Sequence, residues 1–379
     1  MIYTTPTAMR SIAASIRAGK GRAGMSAAYL RWKAEEASAR PTECLTDFVS
    51  PAVSGDPHDF FSEGPYWWPD PKNPGGPYIR RDGEFNPDRF EEHYRVLHVI
   101  CEDTLTLMLA AYHLDERKYA DAALSKLHAF FVDEKTRMNP HFEYGQAIRG
   151  VCSGRYIGII DAKCLHRVIF ALDILREMAI ENETTAGMRQ WIADMYNWLR
   201  TSKHGIGEKN HGNNHSTWYI ALTIAMARFL GDEEDFAADC AFFCTLTEKQ
   251  LSPNGAFTDE TTRTNAFTYC CFNIIGAALI CEMAHCAGVD LWNRDFGGGK
   301  SMSAVIRWIA PYFTNPYSWP YKQINGAVGD APMAMLAASV RLQDEAGRAA
   351  AKAALDARSA YDPLRNMMPI GSTEFYFAP

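Results

Sequence analysis

Apolar residues recur at spacings of three and four along most of the chain, which is the period of amphipathic helices. One such run has Leu105, Leu107, Met108 and Leu109 before Tyr112. The pattern predicts helices over residues 8–38, with a break at two glycines, and over about 91–113, 117–133, 162–182, 186–202, 215–230, 233–248, 265–287, 300–313, 331–341 and 346–357.

The connections between these predicted helices are short, so consecutive helices are expected to pack as antiparallel hairpins. About ten helices without a tight repeat of fixed period favour an α/α toroid over a regular solenoid. We therefore predict an all-α fold, an incomplete α/α barrel that occupies residues 1–379 as one domain. The only suggestion of strand alternation is near the C-terminus, at Thr373–Phe377.

Residues 41–90 differ in character, because proline, glycine and aromatic residues become dense there. They include the segments Pro65-Tyr66-Trp67-Trp68-Pro69-Asp70-Pro71 and Gly75-Gly76-Pro77-Tyr78-Ile79-Arg80-Arg81-Asp82-Gly83. A loop of this length inside a domain is uncommon and is often functional. We expect it to form an extended aromatic loop, or lid, at the N-terminal side of the toroid.

Composition narrows the classes of partner. A net charge of −7 argues against a broadly basic surface for nucleic acid, and no apolar run reaches the length of a membrane span. The ten cysteines contain no CxxC pair and are expected to be free thiols, which indicates a reducing compartment. No signal peptide is evident and the sequence indicates the cytoplasm, although a periplasmic or secreted location stays open. The oligomeric state is not indicated.

Chemistry is concentrated in the stretch from Asn210 to Tyr219, which places His211, Asn213, Asn214 and His215 directly before an apolar helical run. Either of the last two asparagines is a natural N-cap, and the start of a helix favours an anion. The two histidines are four residues apart and could share a zinc ion. A glycine and an asparagine between them favour a loop, however, and no third ligand is evident, so we predict no metal site.

A second polar segment, residues 252–269, places Arg263 before an apolar helix and Tyr269 within it. Together with Asn214 and His215, these residue types suit β-elimination from a uronic-acid polymer. Such an enzyme must neutralise the sugar carboxylate, remove the neighbouring proton and protonate the leaving oxygen. A tyrosine beside an arginine can have its pKa lowered enough to lose its proton.

These segments resemble the alginate lyase superfamily, namely polysaccharide lyase family 5 and its relatives, including family 38. The similarity runs from about residue 60 to 330. It is carried by Asn214-His215-Ser216-Thr217-Trp218, by Arg263 with Tyr269, by the aromatic loop, by Tyr144–Ile148 with Gly154-Arg155, and by Trp319–Gln323. The Trp-Trp-Pro motif is most similar to that of the divergent family 38-type relatives. Two substrates therefore remain open: polymannuronate (alginate) and glucuronan.

The resemblance implies an α/α toroid and metal-independent β-elimination without a cofactor. Asn214, His215 and Arg263 would handle the carboxylate and the C5 proton, and Tyr269 would be the acid and possibly also the base. The substrate, an anionic polyuronate, is expected to contact the residues Tyr66, Trp67, Trp68, Arg80, Gln146, Arg149, Arg155, His211, Asn213, Trp218, Tyr321 and Lys322.

Each of these residues also has a purely structural interpretation. Tyr269 could be a core aromatic, Arg263 could pair with Asp259 or Glu260, and the tryptophans could be packing residues. Two other functions stay open as well. An inverting glycoside hydrolase would need two carboxylates roughly 6.5–9.5 Å apart, such as Glu260 or Asp259 with Asp161. A non-catalytic carbohydrate-binding protein would use the aromatic loop as a platform.

Overall fold

Thirteen α-helices carry most of the residues that the computed structural model describes, which are 1–19, 22–325, 329 and 331–359. Helix accounts for 62% and strand for 5%, as the helical periodicity predicts. The helices are α1 (Pro6–Ala18), α2 (Arg22–Ala39), α3 (Glu92–Leu114), α4 (Arg117–Leu127), α5 (Leu165–Glu177), α6 (Glu183–Thr201), α7 (Lys203–Lys209), α8 (Asn214–Leu230), α9 (Glu233–Gln250), α10 (Ala266–Cys286), α11 (Met302–Thr314), α12 (Ala331–Arg341) and α13 (Glu345–Ser359).

Most predicted helices begin within a few residues of the observed ones, but those predicted over 117–133 and 162–182 end earlier as α-helices, at Leu127 and Glu177. Helix α6 begins earlier than expected because Asn182 caps it and forms a capping box with Thr185. Helix α7 was not anticipated from the sequence. It has seven residues, two of which are glycines, so its composition resembles a loop. The suggested strand at Thr373–Phe377 lies outside the described residues.

Neighbouring helices pack on one another around a single large hydrophobic core. Helix α3 contacts α2, α4 and α5, and α8 lies between α9 and α10. The ten cysteines are all free, as expected, and seven of them are buried. Consecutive helices that share one core produce the layered arrangement expected of an α/α toroid.

One prediction about α10 is wrong. By length and composition this helix is apolar enough to cross a membrane, whereas the sequence was expected to contain no such run. In the structure, 78% of its most apolar window is buried inside the protein, where it contacts α8 and α12. A helix that is apolar on all sides is also what the centre of a large core requires.

Four short strands organise the segment before α3 and the loop after α4. Strand β1 (Phe61–Glu63) pairs in parallel with β4 (Tyr144–Ala147), and β2 (Trp67–Trp68) pairs antiparallel with β3 (Ile79–Arg80). The β2–β3 hairpin forms the middle of the aromatic loop. Two contacts described below hold this loop against the residues that precede and begin α10.

Candidate active site

The polar stretch Asn210–Tyr219 forms the entry to α8. Asn213 caps the helix, since its side-chain oxygen accepts the His215 backbone N–H at 3.0 Å. Gly212 precedes it with φ +99°, a conformation that favours glycine. Ser216 closes the turn, because its hydroxyl accepts from the Gly212 N–H at 2.8 Å and donates to the Glu208 carbonyl at 3.0 Å. The loop before His215 is therefore held from both sides.

His215 is paired with a carboxylate that the sequence analysis missed. Its Nδ1 lies 2.8 Å from Oε1 of Glu208, a residue of α7 with no solvent exposure. Burial raises the pKa of Glu208, and the neighbouring His215 opposes that rise. The other carboxylate oxygen, Oε2, is buried without a hydrogen-bond partner.

Asn214 makes the link to the second polar segment. Its backbone N–H and its side-chain Nδ2 both donate to Oε1 of Glu260, each at 2.8 Å. Glu260 stands three residues before Arg263, so this contact ties the start of α8 to the turn that carries the arginine. Burial raises the pKa of Glu260, although hydrogen bonds from Asn214 favour its ionised form. Both Asn214 Oδ1 and Glu260 Oε2 are buried and unpartnered.

Arg263 lies over the ring of Tyr269, with its guanidinium carbon 3.7 Å from the ring centroid. The arginine pairs with Asp82 of the aromatic loop, with Nη2 2.8 Å from Oδ1, and not with Asp259 or Glu260 as the structural interpretation proposed. Burial opposes ionisation of Asp82, but hydrogen bonds from Arg263, Thr264 and Arg80 hold its pKa well below its usual range. Arg263 is thereby fixed in one orientation.

Tyr269 differs from expectation in its ionisation. Burial raises its pKa, and the nearby Tyr66 raises it further, which outweighs the opposing effect of Arg263. The expectation that the arginine would lower this pKa enough to release the proton is therefore wrong. The phenol oxygens of Tyr66 and Tyr269 are 2.7 Å apart. Tyr269 consequently stays protonated at neutral pH.

His211 lies between the rings of His215 and Tyr156. Its ring centroid is 5.0 Å from that of His215 and 5.5 Å from that of Tyr156. Burial, together with electrostatic interactions with His215 and Arg263, lowers its pKa to about 4. His211 is therefore neutral at physiological pH. Among the described residues, no group of three or more His, Cys, Asp or Glu side chains is placed to hold a metal ion.

The aromatic loop residues reach the site to different extents. The Tyr66 hydroxyl contacts that of Tyr269. Arg80 donates to the Asp82 carboxylate at 2.7 Å. Trp67 lies 5.8 Å from the guanidinium of Arg155, measured to its ring centroid. Trp68 donates its indole N–H to the Glu84 carbonyl at 3.0 Å. All four loop residues expected to contact substrate remain partly or well exposed.

Gln146 and Arg155 form an internal polar network with Asp161, whereas Arg149 is exposed and pairs with Glu63. Gln146 has φ +50° and is buried, and its Nε2 donates to Asp161 at 3.2 Å. Arg155 donates through Nε to the Gln146 carbonyl at 2.9 Å, and Arg149 donates through Nη2 to Glu63 at 3.0 Å. Asp161, a candidate acid in the hydrolase alternative, is buried and also accepts the Ser62 hydroxyl at 2.6 Å.

Trp218 does not reach the site, contrary to the expectation from its position. It is 6% exposed, stacks on Phe272 with ring centroids 4.9 Å apart and donates its indole N–H to the Phe272 carbonyl at 3.1 Å. It lies on the side of α8 that faces α10, so it is a core residue.

Tyr321, by contrast, is 38% exposed beside Trp319. The backbone carbonyl of its neighbour Lys322 accepts the Ala266 N–H at the start of α10.

Comparison with known proteins shows the family and the fold. The family model described as alginate lyase matches residues 45–319. A crystal structure of an alginate lyase from Bacteroides ovatus is 29% identical, with a TM-score of 0.82, over 100% of this chain and 96% of its own. Alginate lyase A1-III in complex with a tetrasaccharide is 16% identical, with a TM-score of 0.52, over 85% of this chain and 90% of its own.

Alginate lyase A1-III from Sphingomonas species A1, at 16% identity and a TM-score of 0.50, covers the same shares and indicates the fold alone. A sequence search of curated proteins finds no match. The fold is the predicted α/α toroid. Because the family model covers more than half of the chain, the chain belongs to the alginate lyase family of polysaccharide lyases.

Proposed function

We propose that the protein cleaves β-linked uronic-acid polymers, polymannuronate or glucuronan, by a β-elimination that requires no metal ion. The observation that carries the proposal is the position of Arg263 over the ring of Tyr269, in a segment that Glu260 ties to Asn214, the neighbour of His215 in the chain. In the proposed site the fixed cation of Arg263, the phenol of Tyr269 and the imidazole of His215 act on one sugar. The residues 1–379 would act as one catalytic unit, with residues 41–90 as its lid.

The substrate carboxylate is neutralised by Arg263, while the buried Asn214 holds Glu260 and with it the turn that carries the arginine. Nε and Nη2 of the arginine face Asp82, at 3.3 and 2.8 Å, and among the described residues Nη1 has no hydrogen-bond partner. That nitrogen is available to a sugar carboxylate. Hydrogen bonds from a preorganised cation strengthen as charge develops on the carboxylate during proton removal, which lowers the barrier.

His215 takes the proton from C5, and Tyr269 gives its proton to the glycosidic oxygen. The C5–H electron pair forms the C4–C5 double bond as the C4–O bond breaks, and the leaving oxygen receives the phenol proton. One product fragment has a new reducing end. The other carries a 4,5-unsaturated uronate at its non-reducing end. We assign the acid role to Tyr269 because its raised pKa keeps it protonated and makes it a poor resting base.

The aromatic loop forms one wall of the substrate groove. Tyr66, Trp67 and Trp68 offer ring faces and edges for pyranose rings, and Arg80 adds positive charge. Tyr321 and Lys322 would contact sugars on the opposite side, next to the start of α10.

The test is a panel of polyuronates, with release of unsaturated product followed by far-ultraviolet absorbance. We expect a signal with polymannuronate or glucuronan that persists after dialysis against a chelator. His215→Ala and Tyr269→Phe should each reduce kcat by orders of magnitude without loss of fold. Reducing ends released without absorbance would favour a hydrolase, and retained binding without turnover would favour a carbohydrate-binding protein. Either outcome overturns the proposal.

A further inference from the structure

Glu208 is the most deeply buried charged group next to the proposed base, and neither the resemblance nor the sequence motifs assign it a role. It lies in α7, one helix before the one that starts at Asn214. Its carboxylate has zero exposure, contacts His215 Nδ1 through Oε1 and leaves Oε2 without a partner. A buried carboxylate with an unsatisfied oxygen costs stability, so its retention calls for a compensating role.

Its main chain holds the same loop. The Glu208 carbonyl accepts both the Ser216 hydroxyl at 3.0 Å and the His211 N–H at 3.2 Å. Residue 208 therefore fixes the approach to α8 with its backbone and the imidazole with its side chain. Helix α7 can lie this close to α6 because Gly205 has no Cβ. A Cβ there would stand 1.8 Å from the Leu199 carbonyl oxygen.

We propose that Glu208 is a positioning residue that holds His215 in the Nδ1–H tautomer, so that the lone pair of Nε2 is presented to the substrate. A carboxylate only accepts, so the Nδ1 atom that it contacts must carry the proton. The neutral ring then has its basic nitrogen at Nε2. Among the described residues that nitrogen has no protein hydrogen-bond partner. The proposal rests on the proposed function, in which His215 removes the C5 proton.

Glu208 also assists once the proton has moved. The imidazolium that forms on His215 is stabilised by the adjacent negative charge, as in other carboxylate–histidine pairs. The groups that face this pair are Asp161, which opposes a negative charge on Glu208, and Arg155, which favours it. His211 and Glu260 approach from the histidine side. Substitution of Glu208 by glutamine leaves all of them in place.

The first experiment needs no substrate. Imidazole nitrogen chemical shifts of the wild-type protein, labelled with ¹⁵N-histidine and assigned with His215→Ala, should show Nδ1 protonated and Nε2 bare at neutral pH. In Glu208→Gln the amide can either accept from Nδ1–H through its oxygen or donate to a bare Nδ1 through its nitrogen, so we expect the Nε2–H tautomer to appear beside the wild-type one. The inference is overturned if wild-type His215 is in the Nε2–H form. This outcome is independent of lyase activity.

The second experiment measures kinetics. For Glu208→Gln we expect kcat on the best polyuronate to fall ~100-fold or more, with KM changed by less than about threefold. A kcat within about threefold of wild type overturns the inference. If the wild type itself is inactive on every polyuronate, the proposed function fails. The tautomer experiment then still decides whether Glu208 positions the His215 ring.

The matched control is a second carboxylate–histidine pair in the same region. Glu143 contacts Nε2 of His204, at the start of α7, at 3.3 Å, but its side chain is 47% exposed and it lies outside the site. Glu143→Gln should leave kcat, KM and the pH profile unchanged. Circular dichroism and Tm are measured for both variants. Should Glu208→Gln fail to fold, the wild-type tautomer still decides the question.

Discussion

The phenol oxygens of Tyr66 and Tyr269 lie 2.7 Å apart, although the residues are separated by 203 positions in the chain. This contact joins the aromatic loop to the proposed acid. A second contact, between Asp82 and Arg263, joins the same loop to the proposed carboxylate-binding group. The loop therefore touches both members of the stacked arginine–tyrosine pair.

Tyr66→Phe should shift the pH dependence of the reaction. Tyr66 contributes to the raised pKa of Tyr269, so its removal lowers that pKa. Activity that requires the protonated phenol is lost as the pH rises through its pKa, so the alkaline limb of kcat/KM should move to lower pH. We also expect kcat to fall ~10-fold. The measurement is a pH–rate profile on the best polyuronate.

Tyr317→Phe is the control for this substitution, because Tyr317 is fully exposed and is not part of the site. Its profile should superimpose on that of the wild type. An unchanged alkaline limb in Tyr66→Phe would mean that Tyr269 is not the group that titrates there.

Asp82→Asn should destabilise the protein and loosen the loop. The carboxylate accepts from Arg263, Arg80 and Thr264, and loss of such charged hydrogen bonds costs about 1–2 kcal/mol. Because the folded-state pKa of Asp82 is lowered, its contribution is present above the usual aspartate pKa and is lost only as the pH falls through the lowered value. Urea unfolding should therefore show an almost constant difference from about pH 5 to 8.

Asp121→Asn is the matched control, since Asp121 pairs with Arg117 while both side chains are about 60% exposed. Exposed pairs contribute little, so this variant should lie within about 0.5 kcal/mol of wild type. Equal destabilisation by the two substitutions would contradict the structural role of Asp82.

The sequence predicts some parts of this protein much better than others, for physical reasons. Helix period and the cap at Asn213 are local signals, and both are visible in the chain. Helix α7 could not be predicted from the sequence, because its two glycines give it a composition typical of a loop. The sequence does not predict the roles of Glu208 and Asp82, because these roles depend on contacts with residues that are brought close only by the fold. Trp218 was misassigned because adjacent positions at a helix start can face either the core or the groove.

Two glycines in α7 provide a test of the backbone packing behind His215. In Gly205→Ala the new Cβ would meet the Leu199 carbonyl oxygen at 1.8 Å, which requires backbone movement. We expect a loss of about 1–3 kcal/mol and a fall in kcat, because α7 carries Glu208. In Gly207→Ala the nearest atom is the Cβ of Tyr156, a partly exposed side chain, at 2.9 Å. That variant should be milder in both Tm and kcat, and the reverse order would contradict the packing described.

Trp218→Phe and Tyr321→Ala should have opposite effects, although both positions resemble substrate contacts in the sequence. Trp218 is buried on Phe272 and donates to its carbonyl, so the phenylalanine variant should lose about 1–3 kcal/mol of unfolding free energy. Its KM should stay near the wild-type value, because the buried indole is not accessible to substrate. Tyr321 is exposed beside Trp319, so its truncation should cost less than about 0.5 kcal/mol. We expect instead a several-fold higher KM for polymer, measured alongside urea unfolding of the same preparations. A raised KM in Trp218→Phe with unchanged stability would show that the indole contacts the sugar after all.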